Sequence, residues 1–183
     1  VDKSTWTGTV SVFAGDVNHA AGFANGTGLA ARFNGPTSLV FDPVSDSIYV
    51  ADQENDAVRK ISRTGVVTTP FGSPGMGSRL QAAGAPNCSL EGFNHRMYCF
   101  GEVASFSHVN VSAAEAAAGI KPDVYVPMTV RVDSLGNIVL LDLGYHSIRE
   151  INPTTGETKL LFGTQAEFSN KRVWVWMDVD RWG

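Results

Sequence analysis

The sequence predicts an all-β protein assembled from repeated four-stranded antiparallel units. Short runs rich in β-branched and aromatic residues alternate with turn residues along most of the chain. One long segment recurs about ninety residues downstream. The longest apolar runs, IVLLDL and VWVWM, are strand-length, well below the eighteen or so residues of a spanning helix.

The repeat is visible first in its last strand. GTVSVFAG (8–15), GVVTTPFG (65–72) and GETKLLFG (156–163) each carry a glycine at both ends, β-rich residues between and a late phenylalanine. Upstream, PTSLVFDPVSDSIYVADQENDAVRKISRTG aligns with PMTVRVDSLGNIVLLDLGYHSIREINPTTG. The pairs Pro36/Pro127, Asp42/Asp133, Asp52/Asp142 and Arg59/Arg149 lie 91, 91, 90 and 90 residues apart. Within a copy the turn residues separate four strands, at 37–41, 47–52, 57–62 and 66–71, then at 128–132, 138–142, 147–151 and 158–162. Four short antiparallel strands repeated in this way make the blade of a β-propeller. One blade cannot cover both of its own faces, so neighbouring copies must cover one another. The chain then divides into the last strand of a preceding blade (1–15), a blade (36–72), an inter-blade insertion (73–126), a second blade (127–163) and the first strand of a further one (173–183).

ARFNGPTSLVFDPVSDSIYVADQENDAVRKI followed by VVTTPFG resembles the NHL repeat, whose blades read A-x-F-x-x-P-x-G-L-A-h-D-x-x-G-x-h-Y-V-A-D-x-x-N-x-R-I-R-K-h. Ser38 and Thr129 stand where that family favours glycine, and Ala57 and Ser147 replace its first arginine. The resemblance covers 28–72 closely and 127–163 more loosely, and it implies a propeller, usually of six blades. The family spans peptide-amidating lyases, RNA-binding propellers, kinase sensor domains and extracellular adhesion modules, so the fold does not choose the function. Two complete blades do not close a ring, and closure is what removes exposed sheet edges. The expectation is a piece of a longer chain, or neighbouring polypeptides that supply the remaining blades. A first residue other than Met, in VDKSTW, fits a processed or excised product.

Composition narrows the partners. The 183 residues are 43% hydrophobic and carry a net charge of −4, with 14 Lys and Arg scattered along the chain. That argues against nucleic acid, whose recognition requires a basic stripe, and the absence of a spanning run predicts no membrane span. Cys88 and Cys99, with ten residues between them, allow a disulfide-closed loop, the alternative being two buried thiols. Sequons at Asn25, Asn87 and Asn110 are candidate glycosylation sites. Together these favour an extracellular or periplasmic location.

Strand alternation places the turn after each second strand and the link after each fourth on one face of the propeller. The candidate binding face is therefore Gln53, Glu54, Asn55 and Asp56, with Tyr145 and His146 of the second copy and His95 and Arg96 of the long insertion. Asp52, Glu54 and Asp56 have a calcium-like spacing, but the glycine and final glutamate of a calcium loop are missing, and the second copy offers Asp142, Gly144 and His146 instead. His19, His95, His108 and His146 have no zinc-ligand spacing, and no G-x-S-x-G elbow is present. No catalytic residue, metal or cofactor is assigned. Trp174 and Trp176 share one strand face, which inter-blade packing explains. The recurring Asp52/Arg59 and Asp142/Arg149 predict a structural latch in each blade, because pairing Val50 with Arg59 brings Asp52 within reach of the guanidinium. The function expected is a non-catalytic structural or protein-interaction module. The alternative is a fragment of a metal-dependent propeller lyase or hydrolase whose ligands lie mostly outside it.

Overall fold

The computed structural model describes residues 8, 10–74, 88–91, 96–99, 111–145 and 147–163, the segments 88–91 and 96–99 as backbone only. Two antiparallel sheets dominate. The first contains β2 (Pro36–Asp42), β3 (Ser47–Asp52), β4 (Ala57–Ser62) and β5 (Val66–Gly72), with the two-residue β1 (Gly26–Thr27) on its outer edge. The second contains β8 (Pro127–Val132), β9 (Ile138–Asp142), β10 (Ser147–Ile151) and β11 (Thr158–Phe162) in the same up-and-down order. Between them in sequence lie a hairpin of β6 (Cys88–Glu91) and β7 (Arg96–Cys99) and one short helix, α1 (Ala113–Ala117). The protein is thus all-β and propeller-like, a partial ring of two blades. Among the described residues no helix is long and apolar enough to cross a membrane.

Turn chemistry explains where strands stop. Asp42 ends β2 by accepting the backbone amides of Val44 and Ser45, and Asp133 after β8 accepts those of Leu135 and Asn137. Both leading strands begin with a proline, and in both the register slips one residue past it, between Pro36 and Ser38 and between Pro127 and Thr129. Proline has no amide to give the ladder, so a bulge there costs little. Helix α1 starts at a capping box: Ser112 Oγ accepts the Glu115 amide and the Glu115 carboxylate accepts the Ser112 amide.

The core follows the two-residue alternation of the strands. Tyr49, Ala51, Val58 and Phe71 leave one face of the first sheet and meet Val130, Ile138, Leu140 and Ile151 of the second, with Val124 between them. Val50, Ile61 and Val67 leave the other face and are covered by Ala14, Ala31 and Phe33 of the N-terminal segment. Strand β2 lies against β8, where Thr37 Oγ1 donates to the Met128 carbonyl at 2.9 Å.

The described part of the segment expected to close a preceding blade lies against the first blade. Of residues 8–15, those described form irregular chain, and Gly26–Thr27 takes the edge of β5 instead. Ala14 packs against the core of the first blade and the Gly15 amide donates to the Gly28 carbonyl, so the described part of the segment covers that blade. The expected strand at 173–183, with Trp174 and Trp176, lies outside the described residues, as do His95, His108, His146, Asn87 and Asn110.

Both ends of the long insertion meet at Asp56. Its backbone carbonyl accepts the Ser73 amide at 3.1 Å, and its carboxylate accepts the Val126 amide at 3.0 Å. The junction leaves no room: a β-carbon on Gly72 would overlap the Asp56 carbonyl oxygen and sit 2.9 Å from Val124. Val126 has φ 55°, the left-handed region that its counterpart in the first blade, Gly35, occupies as a glycine. A buried β-branched residue in that region stores roughly 1–3 kcal/mol of backbone strain, held by the surrounding packing.

Candidate functional site

The four charged residues that recur between copies form two buried ion pairs. In the first blade Val50 pairs with Arg59 across β3 and β4, so Asp52 is the diagonal neighbour on the same face. The Arg59 guanidinium donates to Asp52 Oδ2 at 2.8 Å, and neither side chain is exposed. The same Arg59 also donates to the carbonyls of Arg32 and Ala24 and to Asn25 Oδ1, and faces the Phe23 and Phe33 rings at 4.6 and 5.0 Å. Asp52 in turn accepts the Asn34 amide and the Asn55 side-chain amide. The pair therefore clamps three pieces of chain: the β3–β4 hairpin, its tip and the segment leading into the blade.

The second blade repeats the arrangement with different side chains. Arg149 donates to Asp142 and to the Asp123 carbonyl, Asp142 accepts the Tyr125 amide, and the Tyr145 ring lies 5.3 Å from the guanidinium. Burial pushes the Asp142 carboxyl up to about 6, against the opposing pull of Arg149 and of the Tyr125 and Tyr145 amides. Burial also drives the Tyr145 phenol far above its usual value, with the Asp142 and Asp123 carboxylates adding to it.

The clamp revises the candidate binding face. Asn55 and Asp56 are buried: Asn55 donates to the Gly22 carbonyl and to Asp52, and Asp56 holds Val126. Tyr145 is buried beside Arg149 and packs edge-on against Tyr125. Gln53 and Glu54 are half-exposed, with Gln53 Nε2 directed at the Met128 sulfur. These turn residues look solvated in a string of letters because the chain that covers them is distant in sequence. His146 and His95 lie outside the described residues, and of Arg96 only its place opposite Glu91 in the β6–β7 ladder is described.

Register places Cys88 directly opposite Cys99, the arrangement in which a cross-strand disulfide spans the smallest distance. Asn25 is exposed, while its Oδ1 accepts hydrogen bonds from Arg59 and Thr69. Among the described residues no three His, Cys, Asp or Glu side chains converge as metal ligands would. Two shallow concavities sit at the opposite end of the sheets from the hairpin tips. One, about 260 Å³, is bounded by Phe13, Phe41 and Ile48, with Asp46 and Arg63 beside them; the other, about 160 Å³, lies between the turns of the two blades near Lys60 and Asn137. Both fall below the roughly 300–1,000 Å³ of a typical small-molecule site.

The incoming-segment partners of each arginine were not legible in the sequence. Arg32 and Asp123 stand 91 residues apart, as do Asn34 and Tyr125. The clamp uses the backbone carbonyl of the first pair and the backbone amide of the second. Any residue type supplies those atoms, so no side-chain pattern marks them.

No protein-family model matches the chain, and no curated protein does. Two solved structures from Bacteroides thetaiotaomicron are similar to it. One is named a "putative phosphatase" (21% identity, TM-score 0.42, 76% of this chain and 26% of that one). The other is an auxiliary nutrient binding protein (16% identity, TM-score 0.39, 72% of this chain and 26% of that one). The chain therefore spans about a quarter of the length of each, 26% in both cases.

Replacing Arg59 by Ala leaves the Asp52 carboxylate buried without its cation and strips the Ala24 and Arg32 carbonyls of their donor. Urea unfolding is expected to show a loss of about 3–5 kcal/mol; unchanged stability would refute the clamp. A second expectation concerns pH. The unfolded chain releases the Asp142 proton near its ordinary value of 3.8, whereas the folded protein holds it to about 6. Asp142 therefore favours folding most below pH 4, and that contribution, about 3 kcal/mol, is lost as pH rises through 6. The Asp142 carboxyl carbon, followed by NMR, should titrate with a midpoint near 6; a midpoint at or below 4 contradicts this.

Proposed function

We propose that the chain is an NHL-like propeller segment that acts as a structural and protein-interaction module, not a catalyst, within a secreted assembly. One observation carries this reading. Leu39 is 65% exposed and Phe41 53%, although both belong to a leading strand of the sheet. Their counterparts 91 residues on, Val130 and Val132, pack into the core between the two sheets, where Val130 has no exposed surface. On its leading strand the first blade thus presents to solvent the positions that the second blade uses for contact, while the N-terminal segment covers the rest of that face. Adjoining apolar side chains of this kind mark an interaction surface better than they mark a reactive centre.

The buried charges fit the same reading. Asp52, Arg59, Asp142 and Arg149 are engaged with one another and with backbone groups of the incoming segments. The secreted setting is supported by the opposition of Cys88 and Cys99 and by the exposed sequon residue Asn25.

Hydroxyl-radical footprinting should show Leu39 and Phe41 protected when the chain is probed in the assembly that co-purifies with it, and labelled when it is probed alone. Equal labelling in both states would overturn the docking role, and stoichiometric zinc or calcium retained through dialysis would favour the metal-dependent lyase or hydrolase. Intact mass of the unreduced protein after alkylation should show no modified cysteine. Two alkylated thiols, at Cys88 and Cys99, would remove the argument for a secreted setting.

A further inference from the structure

Alternation along β4 sends Val58 and Lys60 to the same face, the one that packs on the second blade. Val58 reaches the shared core. Lys60, two residues further along, stands directly opposite Tyr49 in the ladder, and its ammonium lies 5.4 Å from the centre of the Tyr49 ring. Among the described residues that ring is its only partner, with no carboxylate or hydrogen-bond acceptor beside it. The side chain lines the crevice of about 160 Å³ between the turns of the two blades.

Two more donors line the same crevice. Asn152 Oδ1 accepts the amides of Thr154 and Thr155, which leaves its Nδ2 without an acceptor among the described residues, and the Thr154 hydroxyl has none either. Asp42 borders the crevice too, but its oxygens already accept the Val44 and Ser45 amides and the Ser45 hydroxyl. The rim is apolar. Val44 is 75% exposed and Leu135 82%, and the turns that carry them abut, since a β-carbon on Gly136 would lie 3.8 Å from the Val44 side chain. The blade plan does not require these features: ninety residues on, Tyr49 and Lys60 are replaced by Val139 and Glu150, whereas Asp52 and Arg59 recur unchanged.

We propose that this crevice receives the carboxylate of an aspartate or glutamate side chain on a protein partner. Lys60 is its counter-ion, Asn152 and Thr154 are its hydrogen-bond donors, and Val44 and Leu135 meet the apolar neighbours of that acidic residue. The proposal rests on the protein-interaction role assigned above and adds a contact of stated chemistry to it. Charge complementarity selects the occupant, because donors left without acceptors and an ammonium held only against a ring gain most from an anion. Volume agrees with it: the crevice has room for one such side chain and not for a typical small molecule.

NMR titration of the full chain with a blocked tripeptide, acetyl-Leu-Glu-Leu-amide, tests this. The backbone amide shifts of Ser45, Lys60, Asn137 and Thr154 are expected to move with that peptide and to stay in place with its glutamine counterpart. The movement should shrink as salt rises. Lys60→Met keeps a stem on Tyr49 without the charge and should weaken binding about fivefold, the upper end for a partly exposed ion pair. Lys60→Arg should retain binding, and both variants should keep the wild-type circular dichroism. Equal shifts with the glutamine peptide, shifts confined to other residues, or undiminished binding by Lys60→Met would each overturn the proposal. Equal shifts with acetate would overturn it as well, by making the crevice a site for free anions. The wild-type comparison of the two peptides stands whether or not the variants fold. No response to the glutamate peptide, with Leu39 and Phe41 still protected in the co-purified assembly, would remove the carboxylate site and leave the docking role standing.

Discussion

Everything in the first blade is arranged around one buried guanidinium. Taking a charge out of water is costly unless its polar contacts are replaced, and the two terminal nitrogens of Arg59 find a carboxylate, an amide oxygen and two backbone carbonyls, the last three from chain some 27 to 35 residues away, while its Nε stays without a partner. A pair of apolar residues could fill the same volume with comparable stability, but it would not hold those carbonyls. The arginine also fixes strand register. Sliding β4 by one residue against β3 would turn Arg59 to the opposite face and into the apolar layer shared with the second blade.

That layer shows why the charged clamp and the hydrophobic core do not interfere. Odd and even positions of β3 serve different neighbours: Tyr49 and Ala51 face the second sheet, and Ile48 and Val50 face the N-terminal segment. The clamp occupies the second face at the end of the strands, where the incoming chain can reach it. The clamps therefore fasten each blade to the chain entering it, and apolar packing, with hydrogen bonds from Thr37 and to Ser38, fastens the first blade to the second. This division lets the same plan tolerate Phe33 in one copy and Tyr145 in the other as the aromatic cover of the arginine.

The strand plan was legible because it depends on side-chain type. Alternation, turn residues and the recurrence of Asp and Arg locate all eight blade strands to within a residue at their ends. The partial-propeller class rests on those strands. The surroundings of the charges were illegible for the opposite reason. Carbonyls and amides of residues 32, 34, 123 and 125 do the holding, and the sequence does not distinguish one backbone from another. The burial of Asn55 and Asp56 was hidden in the same way, since their cover comes from Gly22 and Val126.

The meeting of both insertion ends at Asp56 separates the length of the intervening chain from the fit of the two blades. Ser73 and Val126 are fastened to one residue, so the joint is the same whatever lies between. Closing a longer or shorter excursion changes the entropy only slowly, by about 0.6 kcal/mol per doubling of length. The 54 residues from 73 to 126 are thus carried on a fixed socket. Variation can accumulate there in size and composition while the blades on either side keep their spacing, which makes this the natural place for one scaffold to acquire different attachments.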